Sequence, residues 1–444
     1  MSTAKAGWAE IEITPALGLP MGGRGTQFAP GTEVLDPLMG QVLVLEDSGG
    51  QRTLWISLDM IGMSHTMTNQ FRYELAMMTG IPPEAIILNF SHTHSGPMTG
   101  FEGYATEKPK PEALQDYELG LIPKCVDMAL EAIQNLQPVT VTAHRGRSEI
   151  GINRRRRNAA GEMDMGPNPE GPYNADLWVL DVAAEAGEDR CVVFSYGCHP
   201  VIVYGYSWDG ISADYPGVCR NQLKQVLGAQ VHAQFIQGLA GNVRPRGLAD
   251  LEAGKFRKST PADPVAVGTQ LAGDVIDALK GEGEALELDL AAVAGFAMVP
   301  RDQSKVLPLE HWQELAQSDT ELNRNLGQYW ANRFRSGRPP AQAMPWAIGL
   351  LRLARGHRIA WLSGEPLAEW LGFLRDWLED AHLIAWGYCQ DGRGYVPTDA
   401  VIPEGGYECV KANPYLRNGP GPFAVGINEV AREEFLRLAG QIEE

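Results

Sequence analysis

Three places in this 444-residue chain carry side chains suited to gripping a cation: His92 and His94 flank Thr93, His199 precedes Pro200, and Glu365 follows Gly364. Two imidazoles and a carboxylate from separate segments are the donor set of an open catalytic zinc site, which keeps positions free for water and substrate. In an extended segment the spacing of His92 and His94 puts both rings on one face. Either both then address one site, or one is a ligand and the other its neighbour. The plain alternative is a pair of hydrogen-bonded loop histidines. For Glu365 it is a charge complementing the dipole of a helix that starts at Pro366, and the two roles are compatible.

All of these groups stand where short apolar runs end. Residues 54–58 run into Asp59, 86–90 into Ser91-His92-Thr93-His94-Ser95-Gly96-Pro97, and 192–196 into Gly197-Cys198-His199-Pro200. Residues 235–236 lead towards Gly241-Asn242-Val243-Arg244-Pro245, and 359–362 lead to Ser363-Gly364-Glu365. Runs at 177–182 and 383–386 are of the same kind. Helical periodicity marks 111–136, 216–227, 261–279, 309–335, 366–380 and 428–442, several opening on proline. The alternation predicts an α/β fold with mixed β-sheets flanked by helices. Strand ends in such folds aim side chains from a rigid sheet, so one convergent site is expected. Gly22-Gly23-Arg24-Gly25 lacks the Walker and GxGxxG patterns and is expected to be a loop lining that site. No Gly-x-Ser-x-Gly elbow is present.

Composition narrows the partners. With 55 acidic and 37 basic residues the formal charge is −18, which repels nucleic acid and anionic lipid. The longest apolar stretch, 289–300, is too short for a membrane helix. Residues 1–15 show no apolar signal core, and six cysteines without CxxC spacing fit a reducing cytoplasm. No repeat or low-complexity tract interrupts the chain, so one domain over 1–444 acting on a small molecule is expected, with its oligomeric state open.

Several motifs occur in an order that resembles the neutral (non-lysosomal) ceramidase family. They are Ala6-Gly7 with Glu12-Ile13-Thr14-Pro15, Ser91 to Pro97, Gly151-Ile152-Asn153-Arg154, Cys198-His199-Pro200, Ser212-Ala213-Asp214, Gly241 to Pro245, Gly364-Glu365, Tyr395-Val396-Pro397-Thr398, and Tyr407-Glu408. The likeness is to a bacterial-type member with the catalytic domain and without the family's C-terminal immunoglobulin-like domain. It implies a ceramidase-like catalytic domain with zinc held by His92, His199, Glu365 and Tyr395. It also implies His94, Arg154 and Tyr407 around the substrate carbonyl, as donors to an oxyanion or leaving group. Arg154 opens a run of four arginines, ordinarily a solvated surface, and Tyr407 has the alternative of a core tyrosine.

One departure bears on substrate. Where the family carries a serine at the reaction centre, this chain has Arg244, so no serine nucleophile is available there. Metal-activated water needs none. The expectation is therefore a zinc-dependent hydrolase of an amide or ester bond, on a substrate more polar than ceramide, with an anionic group held by Arg244 and Arg154. The alternatives are a lactonase or cyclic-amide hydrolase with the same metal site, and an inactive ligand-binding relative. Asp59 and Asp214 either orient the imidazoles or cap turns. Met77, Met78, Trp330, Trp346, Trp361 and Trp370 are expected in the core.

Overall fold

The computed structural model describes residues 4–25, 27–338, 340–392, 394–417, 419 and 421–443; the expectations for the N-terminal segment and for a domain over 1–444 extend beyond the described residues. Two mixed sheets form the centre. In the larger the order is His232–Gln237, Arg190–Tyr196, Asp176–Ala184, Gln137–Arg147, Lys5–Glu12, Met39–Glu46, Arg52–Leu58, Ile86–Phe90, with Gly283–Ala285 added to Gln137–Arg147. The smaller runs Leu288–Pro300, Ala343–Ala354, His357–Leu362, Ile384–Trp386. The pairs His232–Gln237 with Arg190–Tyr196, Arg52–Leu58 with Ile86–Phe90, and His357–Leu362 with Ile384–Trp386 are parallel.

Period two explains the layers. Along Met39–Glu46, Val42 and Val44 face one core while Leu43 and Leu45 face another. The strand reads as a continuous apolar run because both its faces are buried. The first core lies under helices His65–Thr79 and Glu112–Gln134. A second, under Asp214–Leu227 and Ala262–Lys280, covers the far strands of the same sheet. The inner core joins the two sheets, and there Trp55 meets Trp386 edge to face at 5.0 Å, a pairing worth about 0.5–1.5 kcal/mol beyond its area. Helices Trp370–Trp377 and Ile427–Glu443 close the outer face of the smaller sheet. The architecture is α/β with mixed sheets flanked by helices.

The larger sheet curls until its two end strands meet, and buried amides join them. Gln237 donates its N–H to Asn89 Oδ1 at 2.8 Å. Asn89 Nδ2 in turn donates to the carbonyls of Gln237 at 3.2 Å and of Gly387 at 2.8 Å. Gln237 Nε2 bridges the carbonyls of Ser91 and Cys198 at 3.0 and 2.9 Å. One side chain thus fixes the starts of both histidine-bearing loops.

Several expectations are corrected. The helix over 309–335 is two, Leu309–Leu315 and Glu321–Arg335, because residues 316–320 form a turn between them. Pro366 does not open a helix: Glu365–Pro366 pairs in parallel with Tyr395–Val396, and the helix begins at Trp370. Glu365 is therefore no helix-dipole partner. The four tryptophans are buried, whereas Met77 and Met78 are 63% and 53% exposed, on the outward face of a helix that the sequence reading did not identify. All six cysteines are buried free thiols. No helix among the described residues is long and apolar enough to cross a membrane.

Candidate metal centre

The loop after Ile86–Phe90 does not stay extended. His92 adopts a left-handed backbone (φ 65°), which costs a non-glycine residue of order 1–3 kcal/mol. Its amide donates to the Met60 carbonyl at 3.0 Å, which holds the turn. The two histidines therefore do not share a strand face. Their rings still meet edge to face at 5.1 Å because the turn swings His92 under His94.

The His92 and His199 imidazoles are each set by a backbone carbonyl. His92 Nδ1 lies 2.7 Å from the Ile61 carbonyl and His199 Nδ1 2.6 Å from that of Ala240. A carbonyl only accepts, so both Nδ1 atoms carry the proton and both Nε2 atoms present lone pairs. Those lone pairs converge on Glu365 Oε2, at 3.2 Å from His92 and 3.1 Å from His199. Three acceptors aimed at one point repel unless a cation lies between them. Burial first, then the charge of Arg154, pushes His199 down to about 4, so a proton does not fill that role. The donor set fits a divalent transition metal.

Among the described residues, His92, His94 and His199 also form a group whose ligand atoms all lie within 4.8 Å of one another. His94 differs in having both ring nitrogens buried and unpartnered. Burial, with His92 and His199 adding to it, keeps its pKa well below the ordinary value. Gly23 makes room for it: a Cβ there would stand 2.4 Å from His94 Nδ1. The Tyr395 ring stacks 6.2 Å from that of His199. Burial pushes the Tyr395 phenol well above its usual value against the pull of Arg154, so it is a neutral hydroxyl until a cation approaches.

Behind Tyr395 lies a second cluster. Arg154 Cζ is 5.2 Å over the Tyr395 ring and 5.7 Å from that of Tyr407. Its Nε donates to Glu408 Oε1 at 2.8 Å, and Arg155 Nη1 donates to Glu408 Oε2 at 2.9 Å. Both arginines are buried, which overturns the solvated-run reading for this half of the motif. Burial works against the charge of Arg154, and Tyr395 and Glu408 outweigh it. Asp59 pairs with Arg220, and Asp214 accepts from the amides of Ile202 and Val203, so these aspartates belong to turns and ion pairs. The imidazoles take their orientation from the main chain.

A pocket of about 300 Å³ opens on this centre, lined by His92, His94, Glu365, Tyr395, Tyr407 and Tyr104 among others. Gly23 and Gly25 line it too, as the glycine-rich loop reading expected. Arg154 and Arg244 are not on its wall. Arg154 donates to Glu408 through Nε while its Nη2 is buried without a partner, and Arg244 lies over Phe256 at 4.6 Å with Nη1 on Met165 Sδ at 3.5 Å. Sequence reasoning passed over Tyr388, whose ring packs 4.5 Å from His92 with its hydroxyl buried and unpartnered. Its place two residues beyond Ile384–Trp386 follows the strand-end rule that found the histidines. Tyr104, burial of which pushes its phenol up to about 12, had no such signal.

The fold and this arrangement define a class: the chain has the fold of the neutral ceramidases. It resembles neutral ceramidase from Pseudomonas aeruginosa with a TM-score of 0.73 and 17% identity, over 99% of this chain and 74% of that one. A ceramidase complexed with C2 matches with a TM-score of 0.71 and 14% identity, over 100% and 76% of the two chains. No family model and no curated protein matches the sequence.

Proposed function

We propose that this chain is a zinc-dependent hydrolase of amide or ester bonds. The observation that carries the reading is the convergence of two lone-pair nitrogens and a carboxylate oxygen on one buried point. The donor types favour zinc over calcium or magnesium, which take oxygen ligands. His92, His199 and Glu365 hold the ion, and Tyr395 completes the set. A zinc ion held in this way supplies an activated water and polarises a carbonyl.

The chain's own groups do the rest. Burial pushes the Tyr407 phenol up to about 12, so it is an O–H donor at neutral pH, and with Tyr104 it faces the pocket where charge on a carbonyl oxygen would develop. His94 offers one unpartnered N–H and one unpartnered acceptor on the same wall, suited to moving a proton onto a leaving group. Arg154 and Glu408 brace Tyr395 from behind. A volume of about 300 Å³ lies at the small end of ligand pockets, which favours a compact substrate over a lipid with two long chains.

Metal analysis by plasma emission on protein purified without added metal tests the reading, beside the His92→Ala/His199→Ala double variant. About one zinc per chain, lost in the variant, is expected together with turnover on a panel of short amides, esters and lactones. A zinc-supplemented chain that holds no transition metal would overturn it.

A further inference from the structure

Three neighbouring strands of the larger sheet carry a polar row away from the metal centre. Trp178 of Asp176–Ala184 stands directly opposite Ser195 of Arg190–Tyr196 on one side and Arg145 of Gln137–Arg147 on the other. Directly opposed residues of antiparallel strands project from the same face, their Cβ atoms about 4.5–5.5 Å apart. Hydroxyl, indole and guanidinium therefore line up across one face of the sheet.

The row belongs to the wall of a second cavity, of about 200 Å³, which shares no wall residue with the cavity at the metal centre. Across from it stand Arg375 of the helix Trp370–Trp377 and the segment 381–385, which enters Ile384–Trp386. Two hydrogen bonds bring the arginines together. Arg145 Nη2 donates to the His382 carbonyl at 2.6 Å, and Arg375 Nε donates to the carbonyl of the next residue, Leu383, at 3.2 Å. Arg375 Nη2 also donates to Asp176 Oδ2 at 2.9 Å. Asp176 is the one carboxylate on this wall among the described residues, so two guanidiniums share a cavity with a single counter-ion. Arg145 is exposed, and the cavity opens to solvent on its side.

Donors here lack acceptors. Trp178 is 4% exposed, and its indole N–H is buried without a partner. A buried N–H left unpaired is rare in folded proteins and calls for an explanation. The Trp386 indole is unpaired as well, but it lies off this wall. Ser195, also buried, adds a hydroxyl. The carbonyls of His382 and Leu383 are already taken by the arginines. Leu371, Leu383 and Ile384 make the remaining wall apolar. An oxyanion would accept from indole, hydroxyl and guanidinium alike, while an apolar body would fill the leucine side.

We infer that this cavity is a second ligand site, for a compact carboxylate with an apolar body, whose oxygens are received by the Trp178 indole N–H, the Ser195 hydroxyl and the guanidiniums of Arg145 and Arg375. The site is independent of the hydrolase reading. Gly197 and Gly238 also line it, so its occupant touches the strand ends from which the loops of His199 and Ala240 begin.

Benzoate serves as the probe, with benzamide as a neutral molecule of the same shape. The full chain is titrated by calorimetry and by the indole N–H resonances in NMR, that of Trp178 being assigned from its disappearance in Trp178→Phe. The native chain is expected to bind one benzoate, to bind benzamide far more weakly, and to show a downfield shift of the Trp178 indole proton. Arg145→Met is expected to weaken benzoate by roughly tenfold or more, the cost of a hydrogen bond to a charged group, with partial recovery in Arg145→Lys. Binding is expected to persist in His92→Ala/His199→Ala, which separates this site from a carboxylate on a metal. No benzoate bound by the native chain, equal affinity for benzamide, an unmoved Trp178 resonance, or affinity lost with the two histidines would overturn the site. Arg145 is a surface side chain, so its variants should keep the native melting curve; if they do not, the Trp178 resonance in the native chain decides.

Discussion

The Tyr395 ring separates two buried polar clusters of unlike charge balance. On one side Arg154 and Arg155 share Glu408, each carboxylate oxygen receiving a charged donor within 2.9 Å. On the other, His92, His199 and Glu365 turn three acceptors towards one point with no donor among them. The chain balances the charge of the first cluster with its own residues, whereas the second is where the proposed ion would sit. Equal burial with unequal pairing is what marks a receptive site off from a structural one.

The largest effect should come from the incomplete side. His92→Ala/His199→Ala leaves Glu365 without its nitrogens, and zinc content is expected to fall from about one per chain to background, with hydrolysis lost. On the arginine side Glu408→Gln leaves Arg154 buried without a counter-ion and Arg155 with Glu404 alone. Unfolding in urea should show a loss of about 3–5 kcal/mol, while zinc content stays near one per chain. Equal loss of metal in both variants would erase the distinction between the clusters.

Tyr395→Phe probes the boundary. Removing the hydroxyl while keeping the ring over Arg154 should weaken zinc affinity by about 10–100-fold, measured by chelator competition. An unchanged affinity would assign Tyr395 wholly to the arginine side. The smallest effect concerns pH. In the folded metal-free chain His199 titrates near 4 against an ordinary 6.5. Between those values the unfolded chain binds a proton that the folded chain does not, so His199 contributes stability that grows as pH rises through the window. Asp214, raised to about 6 by burial, works in the opposite sense and contributes stability that is lost between pH 3.8 and 6. The stability of the native chain relative to His199→Asn, both with chelator, isolates the histidine and should increase from pH 4 to 6.5.

The sequence shows the donors plainly but not what aims them. His92, His199 and Glu365 are legible because strand ends and ligating side chains are local facts. The carbonyls of Ile61 and Ala240 that fix the imidazole tautomers carry no sequence signature, since any residue supplies a carbonyl. The same limit applied to Arg154, where four consecutive arginines look solvated until Glu408 arrives from more than 250 residues away. Among the elements, the helix His65–Thr79 rests on a narrow stripe of Met67, Phe71 and Leu75, although Ser64 caps its start and Gly80 ends it. The strand Leu288–Pro300 is a run of apolar residues whose periodicity alone does not tell strand from buried helix. Proline at 366 imitated a helix start because the extended pairing with Val396 is decided by a segment thirty residues on.

The Asn89–Gln237 junction also bears on how the chain folds. It joins strands that are sequence-distant and lie at opposite ends of one sheet, and it reaches Gly387 beyond the other sheet as well. Contacts of such separation form late, after the loops between them have closed. The loops bearing His92 and His199 both hang from Gln237, so neither histidine reaches its place until both sheets are assembled. On the proposed reading, metal capture would be the last event of folding, and a chain that had taken up an ion would report by that fact that every layer beneath had closed.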